Sequence, residues 1–263
     1  MNSTTSLPVI LCFSGADPTG GAGIQADIEA IACNGGHCAP VITAVTVQDT
    51  SNVFDFAPIP EDLVIAQARA ILEDMPVKAI KIGMIGTANN AQAIHSILRD
   101  YPNLPVVYDP VFSSETDGQL SQPDMIPAVR SLILPLTTVL TPNIHEVHKL
   151  SPGADTSAAA ALGLLETDCD YILVTGTHGK TPNVVHALYS DHREMKTFQY
   201  DRLPGKFHGC GCTLAASLAA LLAQDMPVVN AIHQALDYTY KTLLSARQLG
   251  MGQQHPNRLF WKE

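Results

Sequence analysis

Near its start the chain reads VILCFSGADPTGGAGIQADIEAI over residues 9–31, and this stretch decides the fold class. The apolar run from Val9 to Phe13 has the length expected of a buried strand. A polar, glycine-rich turn follows. After it, Ile24, Ile28 and Ile31 recur at i, i+4 and i+7, which predicts an amphipathic helix. The stretch therefore encodes a strand, a loop and a helix in succession.

The same alternation continues along the chain. Further apolar runs separated by helical windows predict an α/β fold, with parallel strands and helices on both faces of the sheet. The runs are 41–47, 79–82, 106–108, 138–140 and 171–174. The helical windows are 61–73, 88–100, 123–134, 155–166, 213–223 and 227–249. Residues 184–189 and 196–200 flank a polar turn, which predicts a small antiparallel hairpin at the sheet edge.

The composition indicates one compact domain over residues 1–263. Hydrophobic residues make up 46% of the chain and charged residues only 15%, which excludes a disordered protein. The net charge is −10 and no basic run stands out, so nucleic acid is not an expected partner. No repeat or linker suggests a domain boundary.

Location and redox state follow from two further features. The first residues lack the cationic segment of a secretory signal, and no window has the roughly 18 apolar residues of a membrane span. We therefore expect a cytoplasmic protein with no membrane partner. The cysteines form no C-x-x-C pair and have no partner at zinc spacing, so we interpret them as reduced thiols. They are Cys12, Cys33, Cys38, Cys169, Cys210 and Cys212.

Several strands run directly into Gly, Pro, Asp or Asn, at the sheet edge where open α/β proteins bind ligands. The first such loop, 14–23, differs from a Walker A loop because Gly21 stands where the lysine belongs. It also differs from G-x-G-x-x-G, because Gly23 is followed by Ile24, Gln25 and Ala26. We interpret it as a ligand-binding loop, since a purely structural turn would need fewer glycines.

A second loop, His208-Gly209-Cys210-Gly211-Cys212-Thr213, precedes a predicted helix. Two glycines before a helix N-terminus expose consecutive N–H groups, which together with the helix dipole predict an anion hole for a transferring phosphoryl group. In the first helical turn the pKa of the Cys212 thiol is expected to be lowered, so that it accepts a proton. The alternative is a small residue buried in a tight helix start.

A third loop places Asn143 and Glu146 on one face of a forming helix, where they could hold the water shell of Mg²⁺. The alternative is a glutamate that complements the helix dipole. Asp109 is a further carboxylate at a strand end. Six histidines have no partner at metal or triad spacing, and we interpret them as ordinary surface or core residues. They are His37, His95, His145, His148, His186 and His192.

Together these segments resemble the hydroxymethylpyrimidine/phosphomethylpyrimidine kinases of thiamine biosynthesis. The matching segments follow in order over nearly the whole chain, and the GAGIQAD string and the Gly-Cys-Thr pairing are specific to this branch. They are 14–27, 41–48, 81–84, 109–111, 141–146 and 208–214. The resemblance implies a ribokinase-like fold, with a central mainly parallel sheet flanked by helices, and a chain that often dimerises.

The resemblance also implies the reaction. ATP with Mg²⁺ would donate its γ-phosphoryl group to 4-amino-5-hydroxymethyl-2-methylpyrimidine, and a second turnover would give the diphosphate. It assigns Cys212 as catalytic base, with Gly209, Cys210 and Gly211 forming the anion hole. The expected pyrimidine-binding residues are Gly15, Asp17, Ala22, Gln48, Met84 and Val111. The residues expected to organise phosphates and Mg²⁺ are Asp109, Asn143, Glu146 and Thr175; no metal site made of protein ligands alone is expected.

The chain departs from the family pattern at three places. Glu115 and Thr175 stand where the family usually has lysines, in the segments 112–118 and 175–178. Because the substrate of the second phosphorylation is already anionic, that step is the one these losses affect most. Lys206 is a candidate for a compensating charge, although a solvated lysine is the simpler interpretation. Cys210 replaces a threonine, with little expected effect because backbone N–H groups form the hole.

Two alternatives remain from the sequence. One is a pyridoxine or pyridoxal kinase of the same superfamily, whose substrate is also a flat ring with a hydroxymethyl group. Gln48 argues modestly against it, because its amide suits an aminopyrimidine edge. The other is a non-catalytic pyrimidine-binding protein that has lost phosphoryl transfer along with the two lysines.

Overall fold

The computed structural model describes residues 7–112, 124–176 and 181–262. These residues form one sheet of nine strands. The strands are β1 (Val9–Ala16), β2 (His37–Gln48), β3 (Val53–Pro58), β4 (Val77–Ile82), β5 (Val106–Tyr108), β6 (Val139–Leu140), β7 (Tyr171–Val174), β8 (Asn183–Ser190) and β9 (Arg193–Asp201). Their spatial order is β3-β2-β1-β4-β5-β6-β7-β8-β9.

Helices connect and cover these strands. They are α1 (Gly23–Cys33), α2 (Glu61–Asp74), α3 (Ala88–Asp100), α4 (Met125–Ala128), α5 (Ile144–Leu150), α6 (Ser157–Leu165), α7 (Cys210–Leu222) and α8 (Val228–Leu244). The predicted helix at 123–134 is α4 continued by a π-helical turn, Val129–Ile133, and a short 3₁₀ turn, Leu134–Leu136. A last 3₁₀ turn, Phe260–Lys262, lies near the end of the chain.

The sheet is parallel in its centre and antiparallel at both edges. β2, β1, β4, β5, β6 and β7 pair in parallel, and Phe13 of β1 lies between Val41 and Ile82. The hairpin β8–β9 forms one edge, as predicted, and β3 forms the other. All parallel strands therefore end at one edge, where their loops meet.

Each face of the sheet carries its own hydrophobic core, because successive side chains of a strand point to opposite faces. On one face, Leu11 and Phe13 pack with α2 to α6. On the other face, Ile10 and Cys12 pack with α1, α7 and α8. The domain is therefore three layers, with helices on both faces as predicted.

Two of the differences between the structure and the sequence prediction concern β3 and the last helix. β3 was not predicted, because Asp55 and Pro58 interrupt its apolar pattern. The last helix ends at Leu244 rather than at 249, since the chain turns there to pair Arg247 with His255. In the ranges that the structure describes, no helix combines the length and apolarity needed to cross a bilayer.

Candidate active site

The carboxyl ends of the strands surround a cavity of about 460 Å³. The structure brings every residue predicted for the site to its wall. These residues are Gly15, Asp17, Ala22, Gln48, Met84, Asp109, Val111, Asn143, Glu146, Thr175, Gly209, Cys210, Gly211 and Cys212. Segments far apart in sequence thus contribute to one site.

Asp17 organises the glycine-rich loop between β1 and α1. Its carboxylate accepts hydrogen bonds from the backbone N–H groups of Thr19 and Ala22, both at 2.8 Å, and from His208 Nε2 at 2.9 Å. Burial opposes ionisation, but the hydrogen bonds from His208, Ala22 and Thr19 outweigh it and lower the pKa of Asp17 to about 2. The carboxylate therefore fixes the loop that presents Ala22 to the cavity.

Gly209 joins the anion-binding loop to the glycine-rich loop. Its φ is +83°, and a Cβ here would lie 1.9 Å from the carbonyl oxygen of Gly21. Only glycine fits this conformation and this approach. α7 begins at the next residue, three positions earlier than predicted, so the backbone of Cys210, Gly211 and Cys212 forms its first turn at the cavity wall. The N–H groups of a first helical turn have no acceptor within the helix, which suits an anion.

The Cys212 thiol does not have the lowered pKa that its helix position predicts. Cys212 is only 9% exposed, and burial raises the pKa of its thiol to about 12, with Asp109 and Asp27 adding to the rise. Lys81 and a hydrogen bond from the Gly23 backbone act in the opposite direction and are weaker. The expectation of a lowered pKa was wrong because desolvation exceeds the helix-dipole effect at a buried position.

Asp109 lies against the start of α7. Its carboxylate oxygens are 3.1 and 3.3 Å from the position that a Cβ on Gly211 would occupy. Burial raises the pKa of Asp109 to about 6, while Lys81 and a hydrogen bond from the Cys212 thiol lower it. At pH 7.5 the carboxylate is therefore ionised and paired with a neutral thiol.

A buried ion pair beneath the cavity was not assigned a role from the sequence. Lys81 Nζ lies 2.8 Å from both carboxylate oxygens of Asp27, and neither side chain is exposed. Burial alone would lower the pKa of Lys81, but Asp27, Cys212 and Asp109 reverse this and hold it above its ordinary value. Both residues lie in segments that carry the family resemblance, yet only the fold brings them together.

Asn143 and Glu146 form a capping box at the start of α5. Asn143 Oδ1 accepts a hydrogen bond from the Glu146 backbone at 2.9 Å, and Glu146 Oε2 accepts one from the Asn143 backbone at 2.8 Å. The two side chains thus lie together at the cavity wall, as the spacing predicts. Glu146 also lies in the first turn of α5, where the alternative interpretation places it. Asp109 lines the same cavity, and carboxylate and amide oxygens are the ligand type that Mg²⁺ prefers, so the residues present fit a nucleotide-bound Mg²⁺.

One end of the cavity suits a small flat ring. Gln48 lies there with Met84 and Val111, and Met84 forms a small apolar cluster with Ala44. Gln48 Nε2 donates one hydrogen bond to Thr46 Oγ1 at 2.7 Å, and its amide still has a second N–H donor and the Oε1 acceptor.

The other end contains residues that the sequence analysis did not select. His186 of β8 lines the cavity beside Tyr200 of β9 and Tyr240 of α8. Burial lowers the pKa of His186 to about 4, so its imidazole is neutral at physiological pH. Its placement follows the period-two pattern of β8, which puts residues 184, 186 and 188 on one face. Lys206 also lines the cavity, whereas Glu115, Thr177 and His178 lie outside the described residues.

The sequence profile described as phosphomethylpyrimidine kinase matches residues 17–257. The chain belongs to this family. Two relatives named hydroxymethylpyrimidine/phosphomethylpyrimidine kinase support the membership. The one from Mycobacterium tuberculosis is 34% identical and covers 96% of this chain and 94% of its own. The one from Haemophilus influenzae is also 34% identical and covers 96% of each chain.

This phosphomethylpyrimidine kinase family member is also similar to solved structures of other kinases. A pyridoxal kinase from Bacillus subtilis, solved with ADP, is 26% identical with a TM-score of 0.88, covering 98% of this chain and 99% of its own. A phosphomethylpyrimidine kinase from Clostridium difficile is 27% identical with a TM-score of 0.77, and the match covers 90% of this chain and 99% of the other. These matches confirm the ribokinase-like fold, and family membership confirms the assignment as a kinase.

Proposed function

We propose that this kinase transfers the γ-phosphoryl group of ATP to the hydroxymethyl oxygen of 4-amino-5-hydroxymethyl-2-methylpyrimidine, and then phosphorylates the monophosphate. One observation carries the proposal: a single cavity joins an apolar, amide-bearing end to the first turn of α7. The apolar end suits an aminopyrimidine, and the N–H groups of the first turn of α7 suit a phosphoryl group in transfer.

Recognition of the pyrimidine rests on Gln48. One N–H of its Nε2 bonds Thr46, and its Oε1 is the acceptor proposed for the exocyclic amine of the ring. Met84 and Val111 contact the ring, and the backbone at Ala22 contacts its edge. Gln48→Leu should raise KM for the pyrimidine about tenfold or more, since the amine would be left unpaired, with a smaller effect on KM for ATP.

Phosphoryl transfer rests on fixed charges and donors rather than on a covalent intermediate. The N–H groups at Gly209 to Cys212 hold the transferring group, and the positive charge of the buried Lys81 acts on Cys212. Asp109, Asn143 and Glu146 are the residues that would hold the Mg²⁺ of the nucleotide. When bound, Mg²⁺ neutralises charge on the phosphates.

The proton of the substrate hydroxyl leaves through Cys212 and Asp109. A neutral thiol cannot accept a proton unless it gives up its own. The Cys212 thiol donates a hydrogen bond to the ionised Asp109 carboxylate. We infer that the sulfur accepts the hydroxyl proton as its own proton passes to Asp109, so that one proton moves in each of two linked steps.

A product assay tests the proposal. Purified protein is incubated with ATP, Mg²⁺ and hydroxymethylpyrimidine, and products are followed over time by mass spectrometry. Monophosphate followed by diphosphate is the expected result. Monophosphate alone would restrict the enzyme to the first step and implicate the missing lysines. No phosphorylated pyrimidine would refute the assignment, and Cys212→Ala serves as the control for contaminating kinases.

Pyridoxal phosphorylation is the second candidate, because the pyridoxal kinase from Bacillus subtilis superposes over 98% of this chain. The same assay with pyridoxal in parallel separates the two. A higher kcat/KM for pyridoxal than for hydroxymethylpyrimidine would show that pyridoxal is the preferred substrate. The amide oxygen of Gln48 favours the aminopyrimidine, whose exocyclic amine can donate a hydrogen bond to it.

The proposed enzyme is a cytoplasmic homodimer. Val45 and Val47 of β2 and Phe54 of β3 are 48%, 58% and 63% exposed at the sheet edge, which is a large apolar face for one copy to leave in water. All six cysteines are free thiols, in keeping with a reducing compartment. Light scattering after gel filtration should give twice the 28.1 kDa chain mass, and Phe54→Ser should shift it toward the monomer.

A further inference from the structure

The side chain of Arg258, near the end of the chain, is buried behind the active site. It is 1% exposed and is not part of the cavity wall. Its Nε donates to Thr213 Oγ1 at 3.0 Å, and its Nη1 lies 3.1 Å from Glu29 Oε2. Further hydrogen bonds reach two backbone carbonyls of the glycine-rich loop, those of Gly20 and Gly21.

These contacts tie together the two loops that must cooperate in the reaction. Gly21 precedes Ala22 in the loop assigned to the acceptor. Thr213 follows Cys212 in the helix assigned to the phosphoryl group, and its hydroxyl donates to the Gly209 carbonyl at 2.8 Å. Because Gly209 also packs directly on Gly21, the guanidinium holds both sides of the contact between the loops.

The backbone around Arg258 is anchored independently of its side chain. The Gln254 N–H donates to the Lys206 carbonyl at 2.8 Å, and the His208 N–H donates to the Gln254 carbonyl at 2.9 Å. The Tyr238 hydroxyl donates to the carbonyl of Arg258 itself at 2.9 Å. A substitution of the side chain therefore leaves the terminal segment attached while removing the link between the loops.

We propose that Arg258 is a positioning residue that sets the spacing between the acceptor-binding loop and the phosphate-binding loop. The inference rests on the proposed kinase function. A planar guanidinium with several donors can bond both loops at once, whereas a lysine ammonium cannot reproduce this fork. Loss of the link displaces the acceptor oxygen relative to the phosphoryl group, and a displacement of about 1 Å costs about 100-fold in rate.

The test compares Arg258→Gln and Arg258→Lys with wild type. Both should lower kcat for acceptor phosphorylation by about 10- to 100-fold, while the separate Kd values for acceptor and for a non-hydrolysable ATP analogue change less than about threefold. The ratio of acceptor phosphorylation to ATP hydrolysis without acceptor should fall as well. This ratio does not depend on the fraction of folded enzyme, so a merely structural role would leave it unchanged.

Two controls make the result decisive. Arg69→Gln removes an arginine from the exposed ion pair with Asp100 and should leave all these values unchanged. Thr213→Val removes the hydroxyl that Arg258 bonds, and its effect on kcat should be less than additive with Arg258→Gln. An unchanged phosphorylation-to-hydrolysis ratio in both Arg258 variants would overturn the proposal. If wild type phosphorylates pyridoxal and not the pyrimidine, the specificity assignment fails, and the same ratio measured with pyridoxal still tests Arg258.

Discussion

Lys81 Nζ lies 2.8 Å from both carboxylate oxygens of Asp27, and both side chains are fully buried beneath the active site. Burying two charges costs several kcal/mol each, and the cost is offset only while both partners are present. Cys212 and Asp109 are among the groups that act on Lys81. The pair therefore belongs to the electrostatics of the site as well as to the core.

Breaking this pair should destabilise the protein. Asp27→Asn removes the carboxylate that bonds the buried Lys81 ammonium and leaves only the more distant Asp109 charge, so we expect a loss of about 3–5 kcal/mol in the free energy of unfolding, measured by urea denaturation. The double variant Asp27→Leu with Lys81→Met should recover most of that loss because both charges leave together. The kcat of the double variant should nevertheless be lower than that of wild type, since the positive charge of Lys81 that acts on Cys212 is gone. Equal urea midpoints for wild type and Asp27→Asn would contradict this account.

The raised pKa of Asp109 predicts how stability depends on pH. Its carboxyl titrates at about 6 in the folded protein and at 3.8 when unperturbed. The folded state therefore binds the proton more tightly, so this group's contribution to stability is fully present below pH 3.8 and is lost as the pH rises through 6.

Asp109→Asn removes this loss and should stabilise the protein at pH 8 by about 3 kcal/mol, with little difference at pH 4. Thermal unfolding of both proteins across this range measures the effect. A stabilisation that is the same at pH 4 and pH 8 would show that the carboxyl does not titrate with a raised pKa. The variant should also lose kinase activity, because the asparagine amide, unlike a carboxylate, cannot take up the proton that the Cys212 thiol releases.

Cys212 provides a direct test of the proton path. Cys212→Ala and Cys212→Ser should each lower kcat about 100-fold or more, because the group that accepts the hydroxyl proton is removed. Calorimetric binding of the pyrimidine should survive in both. Cys33→Ala, at a half-buried thiol away from the cavity, is the matched control and should keep normal turnover. Nearly normal kcat in Cys212→Ala would make Cys212 a packing residue.

The sequence predicted the features of the fold and site that depend on local sequence pattern. The strand, loop and helix at 9–31 indicate the fold class, and the spacing of Asn143 and Glu146 predicts their shared helix face, which the capping box confirms. The fourteen predicted site residues line one cavity, because parallel strands end at one edge of the sheet. Their individual roles stay predictions until tested.

The sequence did not predict the features of the fold and site that depend on long-range packing. Arg258 acquires its role from contacts up to 238 positions away along the chain, and no local pattern marks it. The predicted shift in the pKa of Cys212 was wrong in direction, because the burial that raises the pKa depends on tertiary packing. β3 is held by pairing to β2 at an edge, where pairing overrides the weak strand propensity of Asp55 and Pro58.

Gly209 offers the sharpest test of the contact between the two loops. Gly209→Ala must adopt φ +83° and must also displace the Gly21 carbonyl, which a Cβ would approach to 1.9 Å. Because both loops would have to move, we expect kcat to fall about 100-fold and stability to fall by about 2–4 kcal/mol. Gly153→Ala is the matched control, since Gly153 has φ +97° but nothing within 4 Å of the added methyl group. It should lose about 1 kcal/mol of stability through backbone strain and keep full activity. Equal losses of activity in the two variants would show that backbone strain, and not the contact with Gly21, governs the site.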